Sequence, residues 1–312
     1  MIDLDGVLYV EGEVIDGARE AIDELRARGL GLRFVTNTTA RSRTATLEKL
    51  SRLGFSVAEH ELVTPAALAV QLCRERGYRR VALIMNEEVK RDFAALEEDD
   101  RAEAVIIGDL GSAFGYDVLN HAFRQVMAGA ELIALQKNRY WLRADGLSLD
   151  VGPFVAAIEF ASGREAYVVG KPARGFFDGV LAELGVNAGA AAMVGDDIES
   201  DIGGALQVGL AGILVRTGKY REEQVRESGM QPSAVVDSIA DVPRLLAGGL
   251  NPTSRVRRQL PAVLHRPNAW ILVDPLSPRP PDRASRDRSA DASGLARQGG
   301  KKTCEGLCWS WG

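Results

Sequence analysis

Two groups of acidic residues are placed where they could bind a cation. Asp3 and Asp5 lie two residues apart near the start of the chain, and Asp196 and Asp201 lie five residues apart after the apolar segment 191–194. In open α/β sheets, ligands bind outside the carboxyl ends of the strands, so side chains that follow strands meet there. Carboxylates gathered in this way repel one another strongly unless they share a cation. Because hard oxygen ligands favour magnesium, we predict a Mg²⁺ site among these residues.

Hydroxyl, amide and amine groups follow two further apolar segments. Thr36 and Asn37 come at the end of the segment 32–36, where a following helix would also present backbone N–H groups to a phosphate oxygen. Lys171 lies between a glycine and a proline after another apolar segment, which fixes the position of a positive charge. Together with the acidic residues, these groups indicate a site for a phosphate and a divalent cation.

Each of these residues also has a simpler structural explanation when it is taken alone. Asp3 and Asp5 could form a turn that closes a strand. Asp201 and Thr36 could cap helices, and Lys171 could be a solvated loop residue. A shared site is favoured because all four motifs directly follow an apolar segment.

The elements that must position these residues alternate between strand and helix along the chain. A helix, a strand and a second helix are predicted within residues 16–54, and the same order returns from residue 166. Such alternation predicts an α/β fold, a doubly wound parallel sheet with helices on both faces. We expect a core formed by residues 1–65 and 166–250, with an inserted α/β cap domain at residues 66–165.

The end of the sequence differs from the rest in composition. Residues 1–250 carry 27 Lys+Arg and 38 Asp+Glu, a net charge of −11, whereas residues 251–312 carry 11 and 5, a net charge of +6. The second segment is rich in Pro, Arg, Ser and Asp without a sustained period, which predicts a disordered tail. The acidic body disfavours nucleic acid as a partner. Because no apolar run approaches the roughly 20 residues that cross a bilayer and no signal-peptide pattern is present, we expect a cytoplasmic protein without a membrane partner.

The motifs form a recognisable set of seven short segments. These are Asp3-Leu4-Asp5-Gly6-Val7-Leu8, Thr36-Asn37, Gly152-Pro153-Phe154, Gly170-Lys171-Pro172, Gly195-Asp196-Asp197-Ile198-Glu199-Ser200-Asp201, Gly203-Gly204-Ala205 and Val215-Arg216-Thr217-Gly218-Lys219-Tyr220. The set resembles the haloacid dehalogenase superfamily of phosphohydrolases, and within it the NagD-type subfamily, whose large cap of the C2 type lies between the threonine and lysine motifs. The resemblance covers about residues 1–248 and implies a Rossmann-like core.

The resemblance implies a covalent mechanism of phosphate hydrolysis. Asp3 would attack phosphorus and form an aspartyl-phosphate. Asp5 would protonate the leaving oxygen and then deprotonate the water that hydrolyses the intermediate. Mg²⁺ would be held by Asp3, by the backbone carbonyl of Asp5 and by Asp196, with Asp201 as a further ligand or as a support for the others.

The resemblance also implies how the substrate is held. Thr36, Asn37 and Lys171 would bind the phosphate oxygens, and Lys171 would in addition keep the nucleophile ionised. The cap would exclude water and contact the leaving group, with candidate residues in segments 136–141 and 150–154. The aromatic pair in the first segment could equally pack inside the cap.

We therefore expect a Mg²⁺-dependent phosphatase that acts on small phosphorylated substrates. Phosphate monoesters, phosphoamino acids and pyrophosphate are candidate substrates, and a homodimer is a candidate assembly. The alternative is a catalytically weak module that binds a phosphate ligand or a protein. It rests on the two residues before Asp3, since a strand usually has about five residues and a shorter one could hold the nucleophile loop poorly. A mis-assigned start codon would explain the same feature.

Overall fold

The computed structural model describes residues 1–143 and 146–248, so the tail predicted at residues 251–312 lies outside the described part. The strands are β1 (Ile2–Asp3), β2 (Tyr9–Val10), β3 (Glu13–Val14), β4 (Phe34–Val35), β5 (Leu62–Val63), β6 (Arg80–Ile84), β7 (Glu97–Glu98), β8 (Ala104–Ile107), β9 (Glu131–Ala134), β10 (Tyr140–Arg143), β11 (Gly146–Leu149), β12 (Tyr167–Val168), β13 (Ala192–Gly195), β14 (Ala211–Val215) and β15 (Ala234–Val236). The α-helices are α1 (Ala18–Ala27), α2 (Arg43–Arg52), α3 (Pro65–Arg76), α4 (Glu87–Lys90), α5 (Tyr116–Met127), α6 (Val151–Ser162), α7 (Arg174–Leu184), α8 (Gly204–Gln207), α9 (Glu222–Ser228) and α10 (Val242–Ala247). Over the described ranges, no helix has the length and the apolar character needed to cross a bilayer.

Six strands form a sheet in the order β15-β14-β13-β1-β4-β5, and every neighbouring pair is parallel. The chain runs outward from β1 to β4 and β5, and it later returns to the other side of β1 as β13 and continues to β15. The strand order therefore reverses between β1 and β13. In doubly wound sheets, ligands bind in the crevice that opens at this reversal, outside the carboxyl ends of the strands.

Neighbouring residues of one strand pack into cores on opposite faces, as the two-residue period of a strand requires. Phe34 of β4 belongs to the core beneath α1, α2 and α10, whereas Val35 belongs to the core beneath α7 and α8. The predicted fold class is thereby confirmed, because the sheet is parallel and helices cover both of its faces.

A second parallel sheet, in the order β12-β9-β8-β6-β7, occupies the middle of the chain. Helix α3 packs on one face, and α5 and α6 pack on the other. We predicted that the segment beginning at residue 166 would return to the core, but β12 pairs with β9 instead. The sequence pattern predicts a strand here without specifying its partner. We propose that the cap extends from Pro65 to Val168.

The cap contacts the core at the N-terminus of α2. The backbone N–H of Ser42 donates to Glu88 Oε1 at 3.2 Å, and that of Arg43 donates to Asp92 Oδ2 at 2.9 Å. Both carboxylates come from the cap, and negative charge is favourable at the positive end of a helix. Helix α2 is therefore one of the elements on which the cap rests.

Candidate active site

Asp3, Asp196 and Asp201 come together at the carboxyl end of the first sheet. Asp3 is the last residue of β1, Asp196 directly follows β13, and Asp201 lies in a wide helical turn over Ile198–Gly203. One carboxylate oxygen of each residue lies within 4.8 Å of those of the other two, and all three residues are buried. The cluster therefore occupies the crevice between β1 and β13.

The three carboxyl groups are held where their negative charge is unfavourable. Burial, together with the charges of Asp3 and Asp201, raises the pKa of Asp196 to about 8. Burial raises the pKa of Asp201 to about 6, although the ammonium group of Lys171 opposes the rise. The pKa of Asp3 is also raised by burial. The cluster gathers three hard oxygen donors at a buried position, and a bound Mg²⁺ would fit it.

Two glycines allow the surrounding loops to approach Asp196. A Cβ on Gly6 would lie 1.9 Å from Asp196 Oδ2, and a Cβ on Gly218 would lie 2.1 Å from the same atom. The φ angles of these glycines are +86° and +61°, which side chains rarely adopt. The loops after β1 and after β14 can therefore close on the carboxylate only because these positions lack side chains.

Lys171 supplies a buried positive charge to the cluster. Its Nζ lies 2.5 Å from Asp3 Oδ1 and 2.6 Å from Asp201 Oδ1, and its side chain is 3% exposed. Burial alone would lower the pKa of Lys171, but the attraction of Asp201 and Asp3 outweighs burial and raises it. Lys171 is therefore an ammonium ion that donates to the predicted nucleophile.

Thr36 and Asn37 follow β4 beside this lysine. Thr36 is buried, and its Oγ1 accepts a hydrogen bond from the Thr38 backbone N–H at 3.0 Å. The Asn37 amide binds the backbone of Lys171 in both directions, donating from Nδ2 to the carbonyl and accepting from the N–H at Oδ1, each at 2.8 Å. The Asn37 side chain therefore fixes the loop that carries Lys171. That Thr36 and Asn37 bind phosphate stays a prediction.

Asp5 lies outside the buried cluster, and its side chain is 55% exposed. Its Oδ2 accepts a hydrogen bond from Tyr9 Oη at 3.2 Å, and its Oδ1 lies 3.9 Å from Lys49 Nζ. Burial and then the charge of Asp5 raise the pKa of Tyr9, so the phenol remains protonated and acts as a donor. The site thus combines a buried carboxylate next to an ammonium with an exposed carboxylate two residues later.

Comparison with known proteins identifies the family to which this site belongs. Residues 1–97 match a family model described as haloacid dehalogenase-like hydrolase, and residues 168–242 match one described as HAD-hydrolase-like. The human haloacid dehalogenase-like hydrolase domain-containing protein 2 is 41% identical over 238 residues, which cover 76% of this chain and 91% of that protein. This chain belongs to the haloacid dehalogenase-like hydrolases.

Other hydrolases of this family match over similar lengths. The human phospholysine phosphohistidine inorganic pyrophosphate phosphatase is 38% identical over 252 residues, covering 79% of this chain and 93% of that protein. The structure of p-nitrophenyl phosphatase from Archaeoglobus fulgidus superposes with a TM-score of 0.74 at 28% identity, covering 78% of this chain and 97% of that one. The structure of glycerol phosphate phosphatase Rv1692 from Mycobacterium tuberculosis, in complex with magnesium, superposes with a TM-score of 0.69 at 28% identity. The match covers 79% of this chain and 77% of that one.

In this hydrolase, the loop after β14 also contacts the site, although the sequence motifs assigned it no role. Thr217 Oγ1 donates to the Gly6 carbonyl, and the Lys219 backbone N–H donates to Asp196 Oδ2 at 2.7 Å. Lys219 Nζ lies 3.4 Å from Asp197 Oδ2. The segment 215–220 belongs to the motif set, and the signal that could have indicated its role is its position directly after a strand that neighbours β13 in the sheet.

The predicted cap segments of the hydrolase are organised by contacts within the cap. Asp150 Oδ1 accepts a hydrogen bond from Gln136 Nε2 at 2.5 Å, and the ring of Phe154 stacks on another cap ring with centroids 3.9 Å apart. Tyr140 and Trp141 are 51% and 46% exposed, so they do not pack into the interior of the cap. Contact between these segments and a leaving group stays a prediction.

Proposed function

We propose that this protein is a Mg²⁺-dependent phosphatase that hydrolyses small phosphorylated substrates through an aspartyl-phosphate on Asp3. The observation that carries the proposal is the cluster of three buried carboxylates around the Lys171 ammonium at the reversal of the strand order. The phosphatases among its relatives support the reaction class.

In the first half of the proposed reaction, a carboxylate oxygen of Asp3 forms a bond to phosphorus and the bond to the leaving oxygen breaks. Lys171 and Thr36 bind the phosphoryl oxygens, so that the charge which develops there meets a fixed cation and a hydroxyl. The exposed carboxyl of Asp5 gives its proton to the leaving oxygen. In the second half, Asp5 takes a proton from water as the water attacks phosphorus, which releases phosphate and restores the Asp3 carboxylate.

Asp3, Asp196 and Asp201 would hold the magnesium ion, together with the backbone carbonyl of Asp5. When bound, the ion would neutralise the buried carboxylates and allow an anionic nucleophile to approach an anionic phosphate. The magnesium in the related glycerol phosphate phosphatase structure supports this assignment. The raised pKa values of Asp196 and Asp201 are consistent with it, because burial and the neighbouring carboxylates disfavour negative charge on these groups.

The alternative of a weakly catalytic binding module rested on a poorly held nucleophile. The described contacts argue against that condition. The Ile2 backbone N–H donates to the Arg33 carbonyl at 2.8 Å, and the Val194 N–H donates to the Met1 carbonyl at 3.0 Å, so β1 is paired on both sides. Asp3 itself is only 7% exposed.

The first test is turnover of 4-nitrophenyl phosphate with Mg²⁺ and with EDTA, for the wild type and for Asp3→Asn. Wild-type turnover should require Mg²⁺, and Asp3→Asn should abolish it, because the amide cannot form the acyl phosphate. Asp178→Asn is the matched control, since this carboxylate on α7 is 48% exposed and pairs with Arg174. If Asp3→Asn and Asp178→Asn have similar rates, the covalent mechanism is wrong.

The substrate requires a separate experiment. The names of the relatives support a panel of phosphate monoesters, phosphoamino acids and pyrophosphate. The preferred substrate should show the highest kcat/KM, and that preference should be lost when the cap residues that contact its leaving group are replaced. A cytoplasmic location and a homodimer stay predictions from the sequence.

A further inference from the structure

Asp5 is surrounded by two side chains that none of the sequence motifs assigns a role. Tyr9 Oη donates to one carboxylate oxygen, Oδ2, at 3.2 Å. Lys49 Nζ lies 3.9 Å from the other oxygen, Oδ1, and 3.8 Å from the centroid of the Tyr9 ring. Each of the three groups therefore contacts the other two.

This cluster is assembled from separate elements of the core. Tyr9 lies on β2, where it pairs with Val14 of β3, and its ring is 2% exposed. Lys49 lies near the end of α2, and its side chain is 24% exposed. The Tyr9 carbonyl also accepts a hydrogen bond from the Gly6 N–H at 2.8 Å, which fixes the backbone directly after Asp5. The Tyr9 ring and the lysine chain are thus held by packing, whereas the carboxyl that they contact is exposed.

We propose that Tyr9 and Lys49 are positioning residues that orient the Asp5 carboxyl toward the leaving group. The inference rests on the proposed function and extends it to two residues outside the motifs. The Tyr9 hydrogen bond occupies Oδ2, so in this proposal Oδ1 is the oxygen that exchanges a proton with the leaving group. Without these contacts an exposed aspartate would populate several rotamers, and only some of them would reach the leaving oxygen.

The proton transfer then has a defined direction. As Asp3 bonds to phosphorus and the bond to the leaving oxygen breaks, the electron pair of that bond goes to the leaving oxygen, which takes the proton from Asp5 Oδ1. Asp5 becomes a carboxylate, and its new charge is favoured by Lys49 on one oxygen and by the Tyr9 hydroxyl on the other. Both contacts therefore stabilise the state that forms during the transfer.

The test compares two leaving groups in the first turnover. A 4-nitrophenolate ion leaves without protonation, whereas phenolate leaves much better with it. Tyr9→Phe and Lys49→Met should each slow the burst of phenol from phenyl phosphate by about tenfold, a fraction of the 10²–10⁴-fold that a general acid contributes. The burst from 4-nitrophenyl phosphate should change by less than about threefold, since it does not use the acid. In an Asp5→Asn background, Tyr9→Phe should cause no further loss.

Two matched controls exist in the cap. Tyr78 Oη donates to Glu131 Oε2 at 3.0 Å, so Tyr78→Phe removes a comparable hydrogen bond. Lys90 pairs with Glu98 at 3.0 Å and is 22% exposed, so Lys90→Met removes a comparably buried lysine. Neither control should alter the ratio of the two burst rates.

The possible outcomes separate the positioning role from the proposed function. Equal losses with both substrates, or no loss, would overturn the positioning role while wild-type turnover upholds the phosphatase. A wild type that releases neither product would overturn both. If the Tyr9→Phe variant does not fold, the two burst rates of Lys49→Met test the positioning role by themselves, because a change at the partly exposed end of α2 leaves the core intact.

Discussion

Replacing Lys171 by Met should destabilise the metal-free protein by about 3–5 kcal/mol, the usual cost of removing one partner from a buried ion pair. The substitution keeps the volume of the side chain but leaves Asp3 and Asp201, which lie 2.5 and 2.6 Å from Nζ, without a cation. For a domain of this size, each kcal/mol lowers Tm by about 2–4 °C, so the expected fall is about 6–20 °C.

The same site contains a matched control in Lys219. Its side chain is 63% exposed, and its Nζ lies 3.4 Å from Asp197 Oδ2. Exposed pairs contribute about 0–1 kcal/mol, so Lys219→Met should lower Tm by no more than about 4 °C. Thermal unfolding in EDTA, followed by circular dichroism, measures both variants without interference from a bound metal.

Two further measurements identify charge as the cause. In an Asp201→Asn background, Lys171→Met should cost at least about 1 kcal/mol less, because one of the two abandoned charges is already absent. The cost should also be smaller at pH 5 than at pH 8, since the raised pKa of Asp201, about 6, means that this carboxyl is mostly protonated at pH 5. If Lys171→Met is no more destabilising than Lys219→Met, or costs the same at both pH values, the ion-pair argument is refuted.

Three more predictions concern the metal and the one buried thiol described. The pKa of Asp196 is raised from 3.8 to about 8, so the folded state binds a proton more tightly than the unfolded state. The Tm of the metal-free protein should therefore fall as the pH rises from 3.8 to about 8. Added Mg²⁺ should oppose that fall, and Asp196→Asn should remove the Mg²⁺ effect. Gly218→Ala, whose Cβ would lie 2.1 Å from Asp196 Oδ2, should weaken Mg²⁺ affinity at least tenfold (about 1.4 kcal/mol). Gly229→Ala is the control and should leave the affinity unchanged, because Gly229 has a similar φ of +64° and its Cβ would have no atom within 4 Å. Burial raises the pKa of Cys73 to about 11, so peptide mass spectrometry should find it unalkylated at pH 8 until the protein is denatured.

Much of the fold is predictable because apolar periodicity determines which faces must be buried. The apolar segment 191–194 forms the strand β13, shifted by one residue, and the insertion of one sheet within another follows from the order of the segments. The partner of a short strand is not predictable in the same way. β12 has two residues, and its pairing with β9 depends on the end of the cap being close to the return into the core.

The arrangement of the site can likewise be predicted from the sequence only in part. Asp3 is the last residue of β1 and Asp196 directly follows the adjacent parallel strand β13, so their meeting is a consequence of topology alone. The second role of Asn37, which binds the Lys171 backbone, depends on a contact between loops 134 residues apart. No local pattern encodes such a contact, because it exists only after the sheet has formed.

The side chains around Asp5 could not be predicted from the sequence, and helix α2 shows why. Its N-terminus receives Glu88 and Asp92 from the cap, and near its other end Lys49 contacts Asp5 and Tyr9. The backbone hydrogen bonds hold a helix in one regular geometry, so the placement of one end of α2 also determines the placement of the other end. The sequence of α2 nevertheless resembles that of any amphipathic surface helix, and Lys49 has the spacing of a solvated residue. Its place beside Asp5 comes from packing of α2 against the first sheet, through Leu50 in the same core as Tyr9.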